Sequence, residues 1–222
     1  MICNLCPRRC GVLRTETEGE GWCRMPALPV AARAALHHWE EPPISGKRGS
    51  GTVFFSGCSL GCVFCQNEAI SHRDFGKALT VPRLREICLE LIRQGAHNIN
   101  FVNPTHYAHI VRQVLEEPLP VPVVWNTGGY DRVETLRGLE GKIQIYLPDL
   151  KYLDAETAAK YSAAADYPQV AQAAIPQCNL TFLTGQEMRA ALEGYYAVLF
   201  RTDPASIGGG MPFDAFYYGG GE

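Results

Sequence analysis

Short apolar runs alternate with segments of helical period along most of this chain. The run 52–55, Thr-Val-Phe-Phe, is rich in β-branched and aromatic residues and predicts a strand. Residues 80–95 predict an amphipathic helix: Leu84, Ile87, Cys88, Leu91 and Ile92 recur at helical spacing, and Gly95 stands at its stop. A strand over 98–102 follows, then a helix over 106–117 ended by Pro118, and a strand over 121–125. A short helix over 131–139, a strand over 142–147 and a helix capped by Asp154 complete the regular part. Strands alternating with helices predict a parallel α/β sheet. Their apolar, barely alternating composition predicts burial on both faces. Each strand runs directly into a polar or glycine-containing turn: Ser56-Gly57-Cys58, Asn103-Pro104-Thr105-His106, Asn126-Thr127-Gly128-Gly129 and Asp149-Leu150-Lys151. A barrel-type sheet gathers such turns around one mouth, at the C-terminal ends of its strands. An open doubly wound sheet gathers only those at its switch point. The barrel-type arrangement is the one expected.

Three segments follow from these patterns. Residues 1–50 form a cysteine-containing extension, in which the alanine-rich stretch 30–36 predicts a helix packed on the barrel. Residues 51–175 carry the barrel pattern. From 176 to 222 the periodicity weakens: 185–193 reads as a helix, 195–201 as a strand, and 208–222 holds six glycines in fifteen residues. Composition narrows the function classes. With 222 residues, 46% hydrophobic and 19% charged, the chain has the balance of a globular protein. Twenty Lys and Arg against 23 Asp and Glu give a net charge of −3, without the basic excess of a nucleic-acid binder. Apolar runs stop well short of the roughly 18 residues a membrane helix needs. The N-terminus lacks the charged-then-apolar plan of a signal peptide, so a cytoplasmic protein is expected.

Cysteine is the informative residue. An odd count of nine, without a secretory signal, points to metal or redox chemistry rather than disulfides. Cys58, Cys62 and Cys65 share one glycine-containing loop after the first predicted barrel strand, spaced x3 then x2. Soft thiolates select zinc, copper(I) or iron–sulfur clusters. A closed zinc site wants four ligands, which this loop reaches only by borrowing one such as His72. Three cysteines on a four-iron cluster leave one iron open for chemistry. Cys3, Cys6, Cys10 and Cys23 form a second set, which suits structural zinc and an auxiliary cluster equally. Cys88 reads as core filling and Cys178 has no assigned role. His37, His38, His106 and His109 read either as catalytic groups or ligands, or as satisfied polar contacts, the commoner use of a lone histidine in a barrel. Asp149 and Lys151 read either as a strand-end ion pair or as groups meeting a bound molecule.

The C-x3-C-x2-C spacing, with an aromatic before its third cysteine and directly after the first barrel strand, resembles the signature of the radical S-adenosylmethionine (SAM) superfamily. The likeness extends further. The run Ala35-Leu36-His37-His38-Trp39-Glu40-Glu41-Pro42-Pro43-Ile44-Ser45-Gly46, the loop from Cys58 to Asn67, Asn103-Pro104-Thr105-His106-Tyr107, Trp125-Asn126-Thr127-Gly128-Gly129-Tyr130 and Tyr146-Leu147-Pro148-Asp149-Leu150-Lys151-Tyr152 look like uncharacterised iron–sulfur proteins related to pyruvate formate-lyase activating enzyme. Cys3-x2-Cys6-Pro7-Arg8-Arg9-Cys10 and Cys23 also suit that subgroup. The resemblance implies a partial (β/α) barrel. It also implies a [4Fe–4S] cluster on Cys58, Cys62 and Cys65, and SAM on the open iron, cleaved reductively to a radical that abstracts hydrogen. It places Phe64 near adenine, Thr105 near the SAM amino group, Asn126 near ribose, and Asp149 and Lys151 near nucleoside or substrate. It implies a protein substrate such as a glycyl radical enzyme, and a flavodoxin- or ferredoxin-type electron donor. The chain departs from the family in two places. The turn after the second barrel strand is Asn103-Pro104-Thr105-His106 rather than a Gly-Gly-Glu-like motif. The pattern is also lost near residue 175, where the family continues with two more strands, so the C-terminal part is expected to be truncated or out of frame. A non-enzymatic zinc or electron-transfer protein, and an inactive fragment, are the rival expectations.

Overall fold

The structure, a computed structural model, describes residues 1–72, 75–178, 185–202 and 204–216. These fall into two compact units, one ending at residue 178 and one starting at 185. In chain order the elements are β1 (Val30–His37), α1 (Pro42–Ser45), β2 (Ser50–Phe55), α2 (Glu68–Ser71), β3 (Lys77–Ala78) and α3 (Val81–Arg93). Then come β4 (Ile99–Val102), α4 (Ala108–Val114), β5 (Val123–Thr127), α5 (Val133–Arg137), β6 (Ile145–Pro148), α6 (Ala155–Ser162), α7 (Tyr167–Ala174) and α8 (Gly185–Thr202).

The first unit is α/β. Its six strands form one open sheet in the order β3-β1-β2-β4-β5-β6. β2, β4, β5 and β6 are parallel and lie side by side in chain order, with no switch point. All four C-terminal turns therefore emerge at one end. On one sheet face Val53, Phe55, Ile99, Phe101, Val123 and Trp125 pack with Leu84, Cys88 and Leu91 of α3 and Val111 and Val114 of α4. The helix stripe read from the sequence is thus the buried one. Thr80 caps α3 by accepting the Arg83 N–H at 3.2 Å, and Asp154 caps α6 by accepting the Thr157 N–H at 2.7 Å. Cys88 is fully buried in this core, and burial pushes its thiol up to about 12. On the other face Phe54, Val102 and Asn126 border a cavity.

Two sequence expectations are corrected here. The stretch 30–36 is not a helix but most of β1, antiparallel to β2 through pairs such as Ala34↔Val53 and Leu36↔Gly51. Alanine favours helix locally, but β2 would otherwise present an unpaired edge, and the strand pairing wins. Part of the N-terminal extension therefore belongs to the sheet. Residues 195–201 are not a strand but the second half of α8, continuous with the expected helix at 185–193. In this second unit Arg189 pairs with Glu193 at 2.8 Å and with Asp214 at 2.5 Å. Of the glycine-rich tail, residues 217–222 lie outside the described residues.

The buried His106 links fold and site. Its Nε2–H donates to the Ser56 carbonyl at 2.7 Å, at the exit of β2, and burial pushes its pKa down to about 3. Above pH 6.5 the ring is neutral in both folded and unfolded chains. As the pH falls from 6.5 toward 3, only the unfolded chain gains the proton, so stability is lost. Urea unfolding between pH 6 and pH 4 is expected to show a drop from this group of about 1.4 kcal/mol per pH unit, absent in His106→Gln.

Candidate functional site

The site is built from the ends of the parallel strands. Each strand delivers its next residues to the same rim, and the rim surrounds a cavity of about 610 Å³. Cys58, Cys62 and Cys65 line it from the loop after β2. Gly57 starts this loop at φ +76, where a Cβ would lie 2.3 Å from Met25 Cγ and 2.9 Å from the Cys23 carbonyl. Only glycine lets the chain turn this close to the extension. Phe64, half exposed, lies edge-on to Tyr152 and Tyr161 and also lines the cavity.

The Cys58 sulfur accepts the N–H groups of Leu60 at 3.3 Å and Gly61 at 3.4 Å. Burial raises its pKa, and those two N–H groups and Asn103 oppose the rise. Asn103 comes from the turn after β4 at φ +54, and its Nδ2 donates to the Gly57 carbonyl at 2.9 Å. It is therefore Asn103, not Thr105, that this turn brings to the cysteine loop. Thr105 is buried and outside the cavity, because its hydroxyl donates to Asp131 Oδ1 at 2.7 Å. Thr127 Oγ1 donates to the other Asp131 oxygen at 2.5 Å. Burial raises the Asp131 pKa against both bonds.

Asn126, Asp149 and Lys151 all line the cavity. Asn126 is already engaged: its Nδ2 donates to Glu40 Oε2 at 3.0 Å, as does that of Asn100 at the same distance. Glu40 also lines the cavity, and its pKa is raised by burial and by neighbouring Glu41 against those two amides. Lys151 Nζ pairs with Asp149 Oδ2 at 2.7 Å. Burial disfavours that ammonium, but Asp149, with Cys62 and Cys65 adding, outweighs it, and the pKa is raised. Tyr167 fastens these turns together. Its hydroxyl accepts the Lys151 N–H at 2.8 Å and shares its proton between the carbonyls of Gly128 at 2.9 Å and Asp149 at 2.8 Å. Tyr167→Phe removes the partner of these half-buried groups and is expected to lower the unfolding free energy by about 1 kcal/mol in urea; an unchanged midpoint would contradict the fastening role.

Glu40, Asn103 and Asp131 were not singled out by sequence reasoning. Glu40 and Asn103 did stand inside runs that carried the resemblance, but nothing in those runs says which polar residue turns inward. His37 lines the cavity, edge-on to Phe54, whereas His106 and His109 donate to backbone carbonyls, as polar contacts do. Among the described residues no three Cys, His, Asp or Glu side chains stand close enough to share one metal ion. That holds for the extension cysteines as for the loop. A single zinc needs its ligands about 2.0–2.3 Å from one point. A four-iron cluster instead takes each thiolate on a different iron, so its ligands stand apart. Three thiols of one loop line the cavity, and the Cys58 sulfur already receives two N–H groups; as a donor set, three soft thiolates suit that second demand.

Fold and site together define an α/β protein with a thiol-lined cavity at the C-terminal ends of parallel strands. No family model matches the chain. It is 34% identical over 174 residues to an uncharacterised protein of Methanocaldococcus jannaschii, the match covering 74% of this chain and 50% of the relative. The chain thus spans about half the length of that curated relative. No helix among the described residues is long and apolar enough to cross a membrane.

Proposed function

We propose that this chain is a radical SAM enzyme on a partial (β/α) barrel. The observation that carries the reading is that Cys58, Cys62 and Cys65 line the cavity into which the other strand-end turns also open. Parallel strands in chain order, without a switch point, are the winding a partial barrel requires. In this reading the three cysteines hold three irons of a [4Fe–4S] cluster. The bound cluster and SAM supply reductive cleavage and hydrogen abstraction. The chain's own residues orient and shield. Phe64 offers an aromatic edge and its backbone to adenine. Asn126 offers a carbonyl oxygen while Glu40 holds its amide. Lys151, tied to Asp149, sets a positive charge beside the loop thiols. Tyr167 keeps both turns closed against water. The substrate in this reading is a protein, with glycyl-radical activation as the analogy, and the electron donor is of flavodoxin or ferredoxin type.

Anaerobic reconstitution tests it. The expected result is a dark protein with close to four irons per cluster that converts SAM to 5′-deoxyadenosine on reduction. A colourless protein holding zinc and leaving SAM intact supports the non-enzymatic alternative and overturns this reading.

A further inference from the structure

Arg8 belongs to the N-terminal extension, yet its guanidinium lies against the cysteine loop. Nε donates to the Ser59 carbonyl at 2.9 Å and Nη2 to the Leu60 carbonyl at 3.0 Å. Nη2 also donates to Ser162 O at 2.6 Å, and Nη1 to Ala163 O, at the left-handed end of α6. The indole of Trp22 lies 3.8 Å from the guanidinium carbon, and the ring of Tyr130 5.4 Å. Among the described residues it forms no ion pair with a carboxylate, so its charge is offered to backbone oxygens and aromatic faces alone.

Two of those oxygens have a particular consequence. The Ser59 carbonyl and the Leu60 N–H belong to one peptide unit, and the Leu60 carbonyl and the Gly61 N–H to the next. In a planar trans peptide the C=O and N–H point in opposite directions. Pinning both oxygens on the Arg8 side therefore turns both N–H groups to the other side, where each meets the Cys58 sulfur, at 3.3 and 3.4 Å. The guanidinium also polarises both units, which strengthens the N–H groups as donors. We propose that Arg8 is the positioning residue of the cysteine loop: it aims two backbone N–H groups at Cys58 Sγ and so sets the electronic environment of that ligand. The extension is then a working part of the site. Hydrogen bonds to cluster sulfurs and nearby positive charge favour the more reduced, more negative state. The redox consequence rests on the iron–sulfur reading above; the backbone geometry does not.

The experiment has two readouts on the full chain. In metal-free protein, amide hydrogen exchange at Leu60 and Gly61, followed by NMR, is expected to speed up at least about tenfold in Arg8→Gln, the loss of one hydrogen bond's worth of protection. Arg9→Gln, at an exposed neighbour, is expected to leave it unchanged. Arg8→Lys keeps the charge but lacks the planar fork, so exchange is expected to remain fast; it also carries the test if Arg8→Gln does not fold. In reconstituted protein the cluster potential is expected to fall in Arg8→Gln and to recover partly in Arg8→Lys. Exchange within twofold of wild type in a folded Arg8 variant overturns the proposal, as does a potential that stays or rises. If wild type takes up no iron, the enzymatic reading fails, and the exchange result alone decides the role of Arg8.

Discussion

Cys62→Ala is expected to abolish iron uptake and SAM cleavage together, to background. Cys62 is the middle cysteine of the trio, buried at the cavity. Burial and the proximity of Cys62 push the neighbouring Tyr152 phenol up to about 12. Alanine leaves two thiols, and a cluster tethered by two cysteines lacks the third anchor that leaves a single iron open. The loss is not a folding effect in disguise, because Cys88→Ala provides the contrast. Cys88 is more deeply buried, on α3 within the helix-side core. Its removal is expected to cost stability, by about 1 kcal/mol, and to leave iron content and 5′-deoxyadenosine yield intact. Iron analysis and product assay on the two variants, reconstituted side by side, check this. Undiminished SAM cleavage by Cys62→Ala contradicts the ligand set, and loss of iron in Cys88→Ala contradicts the division between core and site.

The sequence made the parallel strands and the cysteine trio legible for different reasons. Ile99, Phe101, Val123 and Trp125 are buried against helices, and such positions have little choice of residue type. The trio is legible because thiol spacing on one loop is a local property. What was not legible depends on partners far along the chain. Arg8 reaches oxygens more than fifty residues away, and an Arg8-Arg9 pair between two cysteines has no period to reveal that. The resemblance pointed to Thr105 on the turn after β4, and the Asp131 that engages its hydroxyl lies 26 residues on. β1 was misread because seven of its eight residues lack strong strand preference, while the pairing that decides its conformation comes from β2. In each case the deciding contact comes from residues distant in the chain, which local pattern does not encode.

Gly129→Ala is expected to destabilise the first unit by about 3 kcal/mol, combining left-handed strain of about 1–2 kcal/mol with a steric cost of similar size. Gly129 stands two residues beyond β5 at φ +74, and a Cβ there would lie 2.5 Å from the Asp149 carbonyl oxygen and 3.0 Å from the Tyr167 hydroxyl. The first of these is backbone and cannot rotate away. The turn after β5 must therefore move off the turn after β6, which breaks the triple contact made by Tyr167 and displaces Asp149 and Lys151 from the rim. Gly141→Ala separates the two causes. Gly141 has nearly the same φ, +73, and nothing within 4 Å of its would-be Cβ. It carries the conformational strain without the collision and is expected to cost about 1 kcal/mol. Urea unfolding of both variants measures the difference. Equal losses would mean that the close approach of the two turns, and with it the shape of the cavity mouth, has been wrongly read. A much larger loss at Gly129 is the result that the packing of these turns requires.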